Sequence, residues 1–261
     1  MKIRTGTLRQ LKEDGVKFAC LTSYDQQTAE IFDAAGIEVL LVGDSASNTV
    51  LANDGTVAIT LDEMIPFGRA VARSAKDALV VLDMPFGSYE EGAGQALRNG
   101  IRAMKETGAA ALKLEGARTE QVRALVDNGI PVMAHVGFTP QSVHGLSGFK
   151  VQGRDQDGER ILEQAKQLEA SGAFAIVLEM VPAELGQRIS DTLSIPTIGI
   201  GAGAGTDGQI LVWTDFAGLG SRSPSFSKPY AALREALSNA AMSYREEVRE
   251  GTFPPPEKDF S

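Results

Sequence analysis

Eight short apolar runs recur along this chain, at 18–23, 39–43, 78–83, 110–115, 131–136, 173–180, 196–200 and 209–213. Longer segments of helical periodicity separate them. Four of these close on a glycine: 25–35 at Gly36, 89–107 at Gly108, 118–128 at Gly129 and 159–171 at Gly172. Glycine past the last turn is a common helix stop, because it accepts left-handed backbone without penalty. Strands alternating with helices imply a parallel sheet joined by right-handed crossovers. Eight such units in 261 residues predict an α/β fold closed into a (β/α)8 TIM barrel. Residues 1–261 are expected to form a single barrel domain, with 7–14 as an N-terminal cap and an irregular tail from Phe253-Pro254-Pro255-Pro256.

Four of the runs end in an acid: Asp44, Asp83, Glu115 and Glu179. Parallel strands in a barrel would bring these carboxylates to one rim, the C-terminal face where barrel chemistry sits. Side chains alternate along a strand. Lys113 and Glu115 therefore point into the barrel mouth, away from Leu112 and Leu114, as do Asp83 with Val81 and Glu179 with Val177. Any one of these acids alone fits a solvated strand end or a helix cap equally well. Four at equivalent positions favour a shared cation, since uncompensated buried charge is costly. Oxygen donors with only two histidines, His135 and His144, select a hard ion, Mg2+ or Mn2+, over zinc.

Asp44, Asp83 and Glu115 balance one Mg2+ plus Lys113, leaving a neutral site ready for an anionic 2-oxo acid. Such a site suits Lewis-acid stabilisation of an enolate. Glu179, two strands beyond Glu115, is placed as a general acid/base. His135 ends the fifth strand and fits a structural role as well as a functional one. Ser45 is a substrate contact or a turn serine. The glycine-rich run 199–208 contains a G-x-G-x-x-G match without an acidic ribose partner about 20 residues on, and reads as close backbone packing. The insert 139–157 is long enough to be functional.

The net charge of -9 argues against nucleic-acid or anionic-membrane partners. The single Cys20 excludes an internal disulfide and a thiolate-rich metal site. No apolar run approaches a membrane span, and a cytoplasmic location is expected.

Ordered motifs along the chain are similar to those of the 3-methyl-2-oxobutanoate (ketopantoate) hydroxymethyltransferase family. They are Leu21-Thr-Ser-Tyr-Asp25, Val42-Gly-Asp-Ser45, Thr60-Leu-Asp-Glu-Met64, Asp83-Met-Pro-Phe86, Lys113-Leu-Glu-Gly116, His135-Val-Gly-Phe-Thr-Pro-Gln-Ser-Val143, Lys150-Val-Gln-Gly153, Leu178-Glu179, Gly199-Ile-Gly-Ala-Gly203 and Thr206-Asp-Gly-Gln-Ile-Leu211. The resemblance implies a barrel of the phosphoenolpyruvate/pyruvate superfamily type and a homo-oligomer, often a decamer. It implies Mg2+-dependent transfer of a one-carbon unit from 5,10-methylenetetrahydrofolate to 3-methyl-2-oxobutanoate, giving 2-dehydropantoate. By the same resemblance Asp44, Asp83 and Glu115 are metal-site acids, Ser45 and Lys113 meet the oxo acid, and Glu179 is the proton acceptor; Asp44, Asp83 and His135 are expected substrate contacts beside them. Residues that hold the folate are not implied.

The chain departs from the family pattern at Ala46-Ser47-Asn48, Ala52-Asn53, Pro66-Phe67, 221–226 and Lys258. Two other readings stay open: a Mg2+-enolate lyase or aldolase acting on another 2-oxo acid, and a non-catalytic oxo-acid-binding barrel.

Overall fold

The computed structural model describes residues 2–220, 224–255 and 258. The departures at Ser221, Arg222 and Ser223 lie outside the described residues. The chain separates into two compact units, Met1–Val212 and Trp213–Ser261.

The first unit is the barrel. Its strands are β1 (Phe18–Thr22), β2 (Val39–Val42), β3 (Leu79–Asp83), β4 (Ala111–Lys113), β5 (Val132–Gly137), β6 (Ala175–Glu179), β7 (Thr197–Ile200) and β8 (Gly208–Leu211). They pair in parallel in sequence order, and β8 returns to β1 to close the ring. Its helices are α1 (Thr5–Glu13), α2 (Gln26–Ala34), α3 (Ala46–Thr49), α4 (Leu61–Ser74), α5 (Ala93–Thr107), α6 (Thr119–Asp127), α7 (Asp157–Ala170) and α8 (Ala183–Thr192). The eighth strand ends at Leu211, two residues earlier than its apolar run, because Trp213 already belongs to the next helix.

Strand alternation divides the side chains as expected. Phe18, Cys20, Val39, Leu41, Leu79, Val81, Ala111, Met133, Ala175, Val177, Ile198 and Ile210 fill the barrel interior. Leu8 of α1 joins them, so the expected cap plugs the bottom. Lys12 of the same helix donates to Asp207 Oδ2 (2.8 Å) and to the Ser190 carbonyl (2.9 Å). Asp207 also accepts from Thr197 N–H and Oγ1–H. The lone Cys20 is buried, and burial raises its pKa, which fits a structural thiol.

Local chemistry sets the helix ends. Asp25 accepts the Thr28 N–H at the start of α2 (2.9 Å), and Thr60 with Glu63 forms a reciprocal capping box on α4. Gly108 closes α5 in the left-handed conformation. The glycine-rich run packs as read from its composition: a Cβ at Gly203 would collide with Ala183 of α8.

The second unit contains α9 (Trp213–Phe216) and α10 (Leu233–Glu250). Phe216 stacks on Tyr230 (5.2 Å) and Tyr244 meets Phe253 edge-on (5.2 Å). No residue of α10 is buried.

Candidate active site

The ends of β2 to β6 carry six ionisable groups in barrel order. Asp44 follows β2, Asp83 ends β3, Lys113 ends β4 with Glu115 just beyond it, His135 lies in β5 and Glu179 ends β6. The interior residues Val81, Ala111, Met133 and Val177 each precede a charged group by two positions, so the parity that packs the core delivers these groups to the mouth. Asp44, Asp83, Lys113, Glu115 and His135 are all at most 4% exposed. Glu179 keeps 16% of its side chain exposed, which leaves it reachable by a ligand.

These groups form a continuous arc. The Asp44 N–H donates to Asp83 Oδ2 (3.0 Å). Asp83 Oδ1 lies 2.5 Å from Lys113 Nζ, and Lys113 Nζ lies 3.7 Å from Glu115 Oε1. His135 stands between Glu115 Oε1 (3.5 Å from Nδ1) and Glu179 Oε2 (3.4 Å from Nε2). These last separations are long for hydrogen bonds, and neither ring nitrogen has a well-formed one. Charge attraction couples the three groups.

The protonation pattern follows from the arrangement. Burial opposes the charge on Lys113, but Asp83, Glu115 and Asp44 outweigh it and lift the ammonium pKa well above its ordinary value. Burial and Lys113 disfavour a charged His135, yet Glu115 and Glu179 prevail and push its pKa up to about 9. Burial would raise Glu115, but Lys113 and His135 hold it below the usual carboxylate range. Asp44 is different: burial first, then Asp83 and Glu115, push it well above that range. Burial also raises Asp83, despite Lys113. By formal charge the four carboxylates exceed Lys113 and His135 by two, and burial with like charge disfavours that fully ionised state at Asp44 and Asp83. Asp44, which among the described residues has no cationic partner of its own beside Asp83 and Glu115, is where a divalent cation would relieve the most repulsion.

No three His, Cys, Asp or Glu side chains among the described residues form a preassembled cation cage. Mg2+ does not require one, because it retains several waters and is typically held by one or two carboxylates. The adjacent Asp44 and Asp83 fit that chemistry in donor type and charge. Glu115 has its oxygens turned toward Lys113, His135 and the Gln141 N–H (3.0 Å).

Ser45 does not cap α3 with its side chain. Its hydroxyl pairs with Tyr24 Oη (2.7 Å), a phenol whose pKa burial raises to about 12. The backbone after Glu179 is unusual. Met180 has φ +47, a conformation costing a non-glycine residue about 1–2 kcal/mol. Phe138 N–H donates to the Glu179 carbonyl (2.8 Å) and Gln152 N–H to the Met180 carbonyl (2.8 Å). Gly137 (φ +96) must lack a side chain here, since a Cβ would run into that Glu179 carbonyl. Strain held by surrounding hydrogen bonds is common at functional positions.

Two buried residues without an assigned role in the sequence enter the site. Gln141 donates through Nε2 to Asp44 Oδ2 (2.8 Å), and Tyr89 Oη donates to Gln141 Oε1. Gln141 belongs to the 135–143 motif, but only the fold reveals what it touches.

Some of the departures contact one another or a partner of the site. Ser47 Oγ donates to the Gly55 carbonyl (2.6 Å) and accepts from Asn53 Nδ2 (3.1 Å), so two non-family residues bond to each other. Phe67 packs edge-on against Tyr24 (6.4 Å), the partner of Ser45. Ala52 stands where the family pattern has glycine, yet takes φ +60 and is exposed. Ala52→Gly is therefore expected to stabilise the protein by about 0.5–1 kcal/mol, read as a Tm higher by about 2 °C. An unchanged or lower Tm would show that the strain is absorbed.

Fold and site together define a (β/α)8 enzyme with a buried acid–ammonium centre at the C-terminal ends of its strands. The chain belongs to the ketopantoate hydroxymethyltransferase family, matching it over residues 2–256, and is a hydroxymethyltransferase. It is 57% identical to the 3-methyl-2-oxobutanoate hydroxymethyltransferase of Leifsonia xyli subsp. xyli, over 99% of this chain and 95% of that one. The enzyme of that name from Corynebacterium glutamicum is 52% identical over 99% and 97%. Among solved structures, a phosphonopyruvate hydrolase complex with oxalate and Mg++ superposes with a TM-score of 0.63 at 13% identity, covering 99% of this chain and 92% of that one. A 2,3-dimethylmalate lyase of the PEP mutase/isocitrate lyase superfamily gives 0.61 at 18% identity, over 100% and 93%. These two likenesses show the barrel fold. Membership of the family sets aside the non-catalytic reading.

Proposed function

We propose that this chain transfers a hydroxymethyl group from 5,10-methylenetetrahydrofolate to 3-methyl-2-oxobutanoate, giving 2-dehydropantoate in pantothenate biosynthesis. Asp44 and Asp83 hold Mg2+, with Glu115 completing the acidic surround. The observation that carries this reading is the arc of charges, with the adjacent carboxylates Asp44 and Asp83 at one end and the accessible Glu179 at the other. The cation, when bound, supplies Lewis-acid polarisation of the keto group.

Around it, the protein's own groups do the rest. Ser45, Lys113 and His135 orient the oxo acid, and the Lys113 ammonium favours negative charge developing on the enolate oxygen. Glu179 removes the C3 proton. C3 then bonds to the methylene carbon as one of its two bonds to folate nitrogen breaks, water displaces the other nitrogen and becomes the hydroxyl, and the protons released from C3 and water end on the two nitrogens of the departing tetrahydrofolate. His135 Nε2 lies 3.4 Å from Glu179 Oε2 and holds the carboxylate in place beside the mouth.

A homo-oligomer, a decamer by family resemblance, is part of this reading. It is supported by α10, which leaves Leu237, Met242, Tyr244 and Val248 exposed. So is a cytoplasmic location; among the described residues no helix is long and apolar enough to cross a membrane.

The test is product formation followed by NMR with 3-methyl-2-oxobutanoate and methylenetetrahydrofolate, in Mg2+ or in EDTA. Mg2+-dependent 2-dehydropantoate is expected. Product from free formaldehyde alone would remove the folate donor, and Mg2+-dependent chemistry confined to another oxo acid would replace the substrate.

A further inference from the structure

Beyond the acids and bases of the arc, one neutral side chain bonds into the site at three points. Gln141 sits in the 3-10 turn Pro140–Ser142 at the start of the long 139–157 segment and is 5% exposed. Its Nε2 donates twice, to Asp44 Oδ2 (2.8 Å) and to the Met84 carbonyl (3.0 Å). Its backbone N–H donates to Glu115 Oε2 (3.0 Å). Its Oε1 accepts from Tyr89 Oη, which in turn accepts the Glu115 N–H (3.2 Å). The amide orientation is forced, because the reverse would set Oε1 against a carboxylate and a carbonyl, neither of which can donate. The bonds therefore run one way, from the Glu115 N–H through Tyr89 and across Gln141 to Asp44.

We propose that Gln141, oriented by Tyr89, is a positioning residue that sets the Asp44 carboxylate for the divalent cation and thereby couples the 139–157 segment to cation binding. The inference rests on the cation reading given above. Gln141 donates through its side chain directly to the Asp44 carboxylate, while its backbone N–H holds Glu115. Groups that orient a metal-binding carboxylate govern affinity without touching the metal.

The same segment is held at its other end beside the base, where the Gln152 N–H meets the Met180 carbonyl. One stretch of chain thus spans the two ends of the arc. Because Asp44 and the turn hold each other, a cation that needs Asp44 in this orientation also favours the ordered segment, and the coupling is reciprocal.

The experiment measures Mn2+ binding by EPR, together with hydrogen exchange of amides 143–153 with and without Mn2+. It uses the full chain and its Gln141→Met and Tyr89→Phe variants, with circular dichroism as a folding control. Tyr89→Phe removes a single hydroxyl and serves if Gln141→Met fails to fold. The unaltered protein is expected to bind Mn2+ and to protect those amides when it does. Both variants are expected to bind about 10–100-fold more weakly, with the cation-linked protection reduced or gone. A merely structural role would lower stability and leave Mn2+ affinity within about twofold, and that outcome overturns the inference alone. No Mn2+ binding by the unaltered protein overturns the cation reading and the inference together.

Discussion

Glu179→Gln is expected to lower the rate of deuterium exchange at C3 of 3-methyl-2-oxobutanoate by about 10²–10⁴-fold, the range lost when a general base is removed. The amide keeps the size of the carboxylate but cannot take the proton. Binding of the oxo acid should change little, because Glu179 sits at the far end of the arc from the acid pair. The carbonyl of residue 179 keeps its bond to Phe138 N–H (2.8 Å), so the backbone geometry survives the change. Exchange followed by NMR in D2O with Mg2+ separates proton removal from folate binding. Exchange at the unaltered rate would move the base elsewhere.

Lys113→Met should act in two opposite directions. In EDTA it removes the ammonium that lies 2.5 Å from Asp83 and 3.7 Å from Glu115. Leaving a buried carboxylate without its partner costs about 3–5 kcal/mol, read as a lower urea midpoint. With Mg2+ present much of that loss should return, since the cation meets a more negative site and binds the folded state alone. Mn2+ affinity should rise while turnover falls, because Lys113 no longer favours the enolate. An equal loss of stability in EDTA and in Mg2+, or weaker Mn2+ binding, would show that Lys113 does not share this charge with a cation.

Much of this was legible in the sequence because it depends on local spacing. Alternation along 110–115 was enough to point Lys113 and Glu115 inward, since the same parity buries Ala111 and leaves Leu112 for the helices. Glycines marked the ends of four outer helices. The helices α4 and α8 pass instead into Ala75 and Leu193, both extended, and so carry no such mark. Gln141 and Tyr89 were illegible for another reason. Their partners lie 97 residues away at Asp44 and 26 away at Glu115, and no local pattern records a contact that exists only once the ring is closed. The mutual fit of Ser47 and Asn53 was hidden because each reads alone as a loop residue. Composition also could not show that His135 would be bracketed by two carboxylates, which turns an ambiguous strand-end histidine into a cation.

The tie between Lys12 and Asp207 spans 195 positions, and β1 finds its second neighbour only in β8. A chain emerging from the ribosome therefore carries two open sheet edges through most of its synthesis, and unpaired edges invite association. Closure waits for the last strand, which makes folding of the barrel a late and slow event governed by distant contacts. Until then the emerging chain must be shielded or must fold faster than it aggregates. Shortening the barrel at either end would make that exposure permanent.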